Sequence, residues 1–65
     1  MTPRQEQALA AIRDWWAAYG ESPTRTELGR ALGITKVSAH LLVRSLERAG
    51  KVIVHPGIWR NIEVV

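Results

Sequence analysis

Two helical sequence patterns in the middle of the chain are separated by only three residues, Gly33, Ile34 and Thr35. Glycine readily takes the left-handed conformation that ends a helix, and threonine is a favoured capping residue at the start of the next one. A glycine-containing turn this short predicts a helix-turn-helix. It leaves few other arrangements for a chain of 65 residues.

A longer helix is predicted ahead of this pair. Thr2 and Gln5 have the spacing of a capping box, Pro3 suits the first helical position, and Gly20 is a natural stop. Trp15 lies to one side of the apolar stripe, so we expect it to be partly exposed. The residues of the stripe, which should face the core, are Leu9, Ile12, Trp16 and Tyr19, flanked by Ala8 and Ala11.

The short second helix carries the same kinds of signal. Thr24 and Glu27 form a second capping box, and Gly33 ends the helix. Gly29 is unfavourable inside a helix by up to ~1 kcal/mol relative to alanine, so we interpret it as a site where a neighbouring helix approaches closely. The predicted buried residues of this helix are Leu28, Ala31 and Leu32.

The third helix, from about residue 35 to residue 49, has two different sides. Helical spacing places a core stripe on one side, formed by Ala39, Leu42, Val43, Leu46 and Ala49. The outward side carries Val37, His40, Leu41, Arg44, Ser45 and Arg48, with Lys36 and Ser38 beside it. No acid precedes Glu47, although acids favour the first turn of a helix. The positive N-terminal end of this helix is therefore suited to an anionic partner.

The end of the chain changes to the alternating period of β-strands. Pro56-Gly57 and Arg60-Asn61 are turn-like and separate two apolar runs, which contain Val52 and Val54 in the first and Ile62, Val64 and Val65 in the second. A two-stranded hairpin is barely stable alone, so one of its faces must pack on the helices. The predicted class is mainly α, with three helices followed by a small antiparallel β hairpin.

Length and composition limit the classes of function. The chain is expected to be a single domain, residues 1–65, and it has no cysteine that could form a disulfide or a thiolate metal site. Its histidines have no suitably spaced carboxylates, so no metal or cofactor is expected. No serine has the context of a nucleophile, and no enzyme activity is predicted. No apolar run reaches the ~20 residues of a membrane helix and no secretion signal is recognisable, so we expect a cytoplasmic protein.

Positive charge is concentrated in the middle and later part of the chain. The net charge is +3, but residues 25–60 hold seven basic residues against two acids. Such a surface around Val37 and Leu41 suits a DNA major groove, where aliphatic groups can touch thymine methyls and polar groups can reach base edges. The alternative is a protein-interaction module that docks a partner through Val37 and Leu41, with little dependence of binding on salt.

Nearly the whole chain carries a family resemblance, most clearly in TPRQEQALAAIRDWW, SPTRTELGRALG and VRSLERAGKVIV. The chain resembles the N-terminal DNA-binding domain of the LexA repressor family, and the run from Pro23 to Leu28, followed by Leu32-Gly33, is the most specific match. The resemblance implies a winged helix-turn-helix whose third helix enters the major groove and whose hairpin wing lies on the backbone or in the minor groove. It also implies a transcriptional repressor or regulator, two copies of which bind a palindromic operator. Because one copy covers only about half of such an operator, we expect two copies to bind together as a weak homodimer on DNA.

The resemblance, together with the basic side chains around it, assigns roles to particular residues. The residues expected to read bases are Thr35, Val37, Ser38, His40, Leu41 and Arg44. Those expected to contact phosphates are Arg25, Lys36, Arg44, Arg48, Lys51 and Arg60. The wing runs from His55 to Asn61, with His55 on the strand surface. Trp59 is predicted to cover the core from the wing side, and a contact with the DNA backbone or a dimer partner is the alternative.

The sequence departs from the best-known members of the family at its reading face. The turn before the third helix is one residue shorter, and Val37, Ser38, His40 and Leu41 stand where those members carry asparagine and glutamates. We therefore expect a different operator sequence. The family's self-cleaving second domain is not in the sequence, so we expect either a stand-alone repressor-like protein or a fragment of a longer one.

Overall fold

The computed structural model describes all 65 residues and contains three helices followed by a two-stranded antiparallel sheet. The helices are α1 (Pro3–Tyr19), α2 (Arg25–Leu32) and α3 (Lys36–Arg48), and the strands are β1 (Val52–Val54) and β2 (Ile62–Val64). The predicted class and the winged helix-turn-helix arrangement are confirmed. None of the helices has the length and apolar character needed to cross a membrane.

The helices begin where the capping signals place them. Both predicted capping boxes form, Thr2 with Gln5 and Thr24 with Glu27, so each pair satisfies two backbone N–H groups that the helix itself leaves free. Thr35 caps α3 through its side-chain oxygen, but α3 has no capping box and no acid in its first turn.

The turn between α2 and α3 folds back against Gly29. Gly33, with φ of 69°, ends α2, and the Ile34 N–H donates to the Gly29 carbonyl at 2.9 Å. A Cβ atom added at Gly29 would lie 2.9 Å from the carbonyl oxygen of Ile34 and 3.2 Å from that of Thr35. A close approach at Gly29 is therefore confirmed. It is made by the backbone of the turn, however, and not by a neighbouring helix as predicted.

A single core lies where the three helices meet the sheet. Four of the predicted core residues, Trp16, Tyr19, Ala31 and Ala49, are exposed. Tyr19 is the last residue of α1 and Ala49 is the C-cap of α3, so each lies where its helix ends. Trp16 is 37 % exposed, and Trp15 is partly exposed as predicted. The buried apolar residues of the core are Ala8, Leu9, Ile12, Leu28, Ala39, Val43, Leu46, Val52 and Ile62.

The hairpin is attached to the helices through the backbone of Ile62, which pairs with Val54 in the antiparallel register. The Ile62 N–H donates to the Ser22 Oγ at 3.0 Å, and the Ile62 carbonyl accepts from the Trp16 Nε1 at 2.9 Å. These two bonds satisfy backbone groups that the second strand of a two-stranded sheet would otherwise leave unpaired. The hairpin is thereby fixed to α1 and to the segment before α2.

Candidate nucleic-acid interface

The outward side of α3 exposes two aliphatic residues among cations. Val37 is 68 % exposed and Leu41 is 60 % exposed, and the side chains of His40, Arg44 and Arg48 also reach solvent. None of these three takes part in an ion pair. The exposed surface is therefore apolar and basic at once, next to a helix N-terminus that carries a partial positive charge.

Two hydroxyl groups of α3 are engaged in local contacts. Ser45, predicted on the outward side, accepts a hydrogen bond from Gln5 Nε2 at 2.8 Å, so it lies against α1. The prediction was wrong because helical spacing does not reveal where α1 crosses. Thr35, assigned to base reading, accepts from the Ser38 N–H at 3.1 Å and donates to the Ser38 Oγ at 3.0 Å. Its hydroxyl is occupied in capping α3.

A cleft of about 720 Å³ separates the first turn of α3 from the wing. Trp59 forms one wall and is 76 % exposed, so the prediction that it covers the core is wrong. The core beneath the hairpin is instead closed by the buried residues Val52 and Ile62, which leaves the indole of Trp59 free to face α3. The other lining residues are Thr24, Arg25, Thr26, Glu27, Lys36, Val37 and His40.

Arg60 fastens the wing to the start of α2. Its Nη1 and Nη2 donate to the two carboxylate oxygens of Glu27 at 2.7 and 3.1 Å, and its Nε lies 3.2 Å from Glu21 Oε2. Its Nη1 also donates to the Ser22 carbonyl at 3.0 Å, and its guanidinium carbon lies 5.0 Å from the centroid of the Trp59 ring. Arg60 was predicted to contact a DNA phosphate, but its guanidinium is paired with Glu27 and Glu21. These acids flank the start of α2, and the wing packs against that part of the fold.

The Arg60–Glu27 pair perturbs the ionisation of both groups. The hydrogen bond from Arg60, followed by that from the Thr24 N–H, lowers the pKa of Glu27 to about 2. The hydrogen bond to Glu27 in turn raises the pKa of Arg60. Both groups are therefore charged at neutral pH, and the pair is a charge-assisted, two-pronged contact of the strong kind.

Other wing residues also have partners within the fold. Arg25 donates to Asn61 Oδ1, and burial lowers the pKa of Arg25 while Glu47 acts in the opposite direction. The Nε2 of His55 lies 3.0 Å from a carboxylate oxygen of Glu63. No group of three or more histidine, cysteine, aspartate or glutamate side chains is placed to hold a metal ion. The assigned phosphate contacts that remain outside ion pairs and wing contacts are Lys36, Arg44, Arg48 and Lys51.

The helix-turn-helix, the wing and the exposed basic face of α3 define the class of winged helix-turn-helix nucleic-acid-binding domains. The family model described as the LexA DNA binding domain matches residues 1–61. The chain therefore belongs to the LexA DNA-binding domain family.

The chain is also similar to several LexA repressors. It is 38 % identical over its whole length to the LexA repressor of Idiomarina loihiensis, and 35 % identical over 98 % of its length to that of Cellvibrio japonicus. It is 34 % identical over its whole length to the LexA repressor of Dechloromonas aromatica. The chain spans only about a third of the length of these relatives, 32 %, 32 % and 33 % respectively.

Proposed function

We propose that this chain binds double-stranded DNA in a sequence-specific manner and acts as a transcriptional repressor or regulator. The observation that carries the proposal is the exposed face of α3, where Val37 and Leu41 lie among basic side chains that take part in no ion pair. A major groove offers both thymine methyl groups and base-edge acceptors to such a face. Membership of the LexA DNA-binding domain family supports the same proposal.

In the proposed complex, α3 lies in the major groove. Phosphate contacts come chiefly from Lys36, Arg44, Arg48 and Lys51, which fix the orientation of the domain. The bases are read by Val37, Ser38, His40, Leu41 and Arg44, while Thr35 holds the first turn of the helix in shape. Arg25 and Arg60 are not direct phosphate contacts in this complex, because their guanidinium groups already have partners in the fold. They hold the edge of the wing near the DNA backbone instead.

The proposed binding site is a palindromic operator occupied by two copies. Half-sites on one side of a duplex lie about 34–36 Å apart, one helical turn. The domain measures 25 × 23 × 21 Å, so two copies fit side by side at this spacing with their surfaces close together. A weak homodimer that forms on the DNA is consistent with these dimensions.

The first test is fluorescence anisotropy of a labelled duplex, titrated with the protein across a series of salt concentrations. A negative slope of log K against log salt is expected, because each neutralised phosphate releases counterions. Selection of the preferred sequence from a random pool follows. If no duplex binds even at low salt, the proposal fails and the exposed Val37 and Leu41 become the centre of a protein-docking surface.

Substitution of Arg44 tests the assignment of the reading face. Arg44→Ala should weaken binding and, if the guanidinium reads a base, lower discrimination between selected and random duplexes by about 1–3 kcal/mol. Arg13→Ala is the matched control, since Arg13 lies on α1 beside Glu63 and Val64, away from α3. Equal losses on both duplexes would reduce Arg44 to a phosphate contact.

A further inference from the structure

The wing can contribute to DNA binding only if it is held at a defined position relative to α3. Trp59 lines the cleft between the wing and the first turn of α3, whose Lys36 and Val37 also line it. Exposure of 76 % means that packing does not hold the indole in place. The position of Trp59 must therefore be fixed through its neighbours in the wing. Asn61 accepts from Arg25 of α2, and Arg60, the residue directly after Trp59, pairs with Glu27 of α2.

We propose that Glu27 is a positioning residue for DNA binding, because its two-pronged ion pair with Arg60 holds the wing so that Trp59 stands beside the first turn of α3. The proposal rests on the DNA-binding function proposed above. Glu27 touches no DNA in this scheme. It acts through Arg60, whose guanidinium links α2 to the loop that carries the indole.

The geometry singles out Glu27 among the acids near the wing. Both of its carboxylate oxygens accept from Arg60, and one also accepts from the Thr24 N–H at 2.9 Å, which fixes the carboxylate to the helix start. Glu21 makes one contact to Arg60 and its side chain is 52 % exposed, against 26 % for Glu27. An exposed single contact of that kind contributes little.

The sign of the effect of Glu27→Gln on DNA affinity tests the proposal. The variant keeps the capping box, because glutamine serves that position as well as glutamate. It also removes a negative charge from the edge of the cleft, which by electrostatics alone should tighten DNA binding. We expect the opposite, namely weaker binding with a roughly fivefold higher dissociation constant. This loss is comparable to the loss of one net hydrogen bond.

Further variants separate positioning from a general loss of stability. Glu21→Gln removes the other acid near Arg60 and should leave binding unchanged or slightly tighter. Trp59→Ala should weaken binding about as much as Glu27→Gln, and Glu27→Gln added to Trp59→Ala should cause no further loss. Arg60→Lys keeps the charge but cannot form the two-pronged pair, so it should weaken binding while Glu27 and its cap stay intact.

Thermal unfolding of every variant sets a temperature at which all are folded, and affinities are compared there. The proposal is overturned if Glu27→Gln binds as tightly as the wild type or more tightly. It is also overturned if the loss persists in full in the Trp59→Ala background. Failure of the wild-type protein to bind any duplex would overturn the proposed function as well. If the wild-type protein binds a duplex and Glu27→Gln binds it equally tightly, only the positioning role of Glu27 is overturned.

Discussion

Single residues in this fold carry several interactions at once. The Glu27 carboxylate completes the capping box of α2 through the Thr24 N–H and pairs with Arg60 of the wing. A deprotonated carboxylate can accept several hydrogen bonds, which is why one acid serves both purposes. The sequence predicts the first role, because it depends on a spacing of three residues. The second role depends on a partner 33 residues away.

The pH dependence of stability should report the Glu27–Arg60 pair. The pKa of Glu27 is lowered from 4.5 to about 2, so its stabilising contribution is present above pH 4.5 and is lost as the pH falls towards 2. The difference in free energy of unfolding between the wild type and Glu27→Gln should therefore be largest at neutral pH and shrink towards pH 2. Urea unfolding at neutral pH and at several acidic pH values measures it. A constant difference would contradict the shifted pKa.

Gly29 should resist replacement despite its position inside a helix. Alanine is intrinsically better in a helix by up to ~1 kcal/mol. Its Cβ would nevertheless lie 2.9 Å from the Ile34 carbonyl oxygen, a backbone atom that can move only with the turn. We expect Gly29→Ala to destabilise the domain by about 1–3 kcal/mol, measured by urea unfolding. The exposed neighbour Arg30 provides the control, since Arg30→Ala should change stability little.

At the scale of the element, α3 differs from the other helices at its N-terminus. Both α1 and α2 have a capping box and an acid in the first turn, whereas α3 has neither. Ser38 stands at the position where the box would need glutamate or glutamine. The helix therefore lacks the stabilisation that a capping box and a first-turn acid would give. Its positive N-terminal end remains without a negative side chain, which suits an anionic partner.

Completing the capping box of α3 should separate stability from DNA binding. We expect Ser38→Glu to raise the free energy of unfolding by about 0.3–1 kcal/mol, because the acid favours the helix start. Binding to the selected duplex should weaken at the same time, since the added charge opposes phosphates. Ser38→Gln supplies the cap without the charge and separates the two effects. Thermal unfolding and anisotropy are measured on each variant, and tighter binding by Ser38→Glu would argue against α3 as the DNA-binding helix.

At the scale of the whole molecule, the sheet depends on the helices. Two short strands are not stable by themselves, and here Ser22 and Trp16 satisfy the outward backbone groups of Ile62. Ser22 is 1 % exposed, and its Oγ also donates to the Pro23 carbonyl at 2.8 Å. A buried hydroxyl in the segment before α2 therefore links the helices to the wing.

Removal of that hydroxyl should destabilise the whole domain. Ser22→Ala leaves the buried Ile62 N–H without a partner, which should reduce the free energy of unfolding by about 1–3 kcal/mol. Urea unfolding monitored by far-UV circular dichroism provides the measurement. The matched control is Ser38→Ala, a removal of an exposed hydroxyl, which should have a smaller effect. Equal effects of the two substitutions would contradict the role of Ser22 in holding the hairpin.

The helices and strands of this protein, and the side chains that α3 exposes, follow from local sequence signals. Helix ends depend on caps and glycines within a few residues. The capping roles of Thr2, Thr24 and Thr35 and the short turn could therefore be predicted from the sequence. The outward Val37 and the other exposed side chains of that face follow from helical periodicity. These features are local, and their physical causes act within a turn of helix or a pair of strands.

The attachment of the wing and the surroundings of the candidate interface depend on contacts between residues that are distant in the sequence. The partners of Ile62 lie 40 and 46 residues away in Ser22 and Trp16, and Arg60 reaches Glu27 across 33 residues. The type of a side chain and its spacing from its neighbours in the sequence do not predict partners at such distances along the chain. From the sequence, the wing arginine Arg60 is therefore predicted to contact phosphate, and the apolar indole of Trp59 is predicted to cover the core. Folding instead brings acids to Arg60, and it closes the core beneath Trp59 with other residues, which leaves the indole exposed.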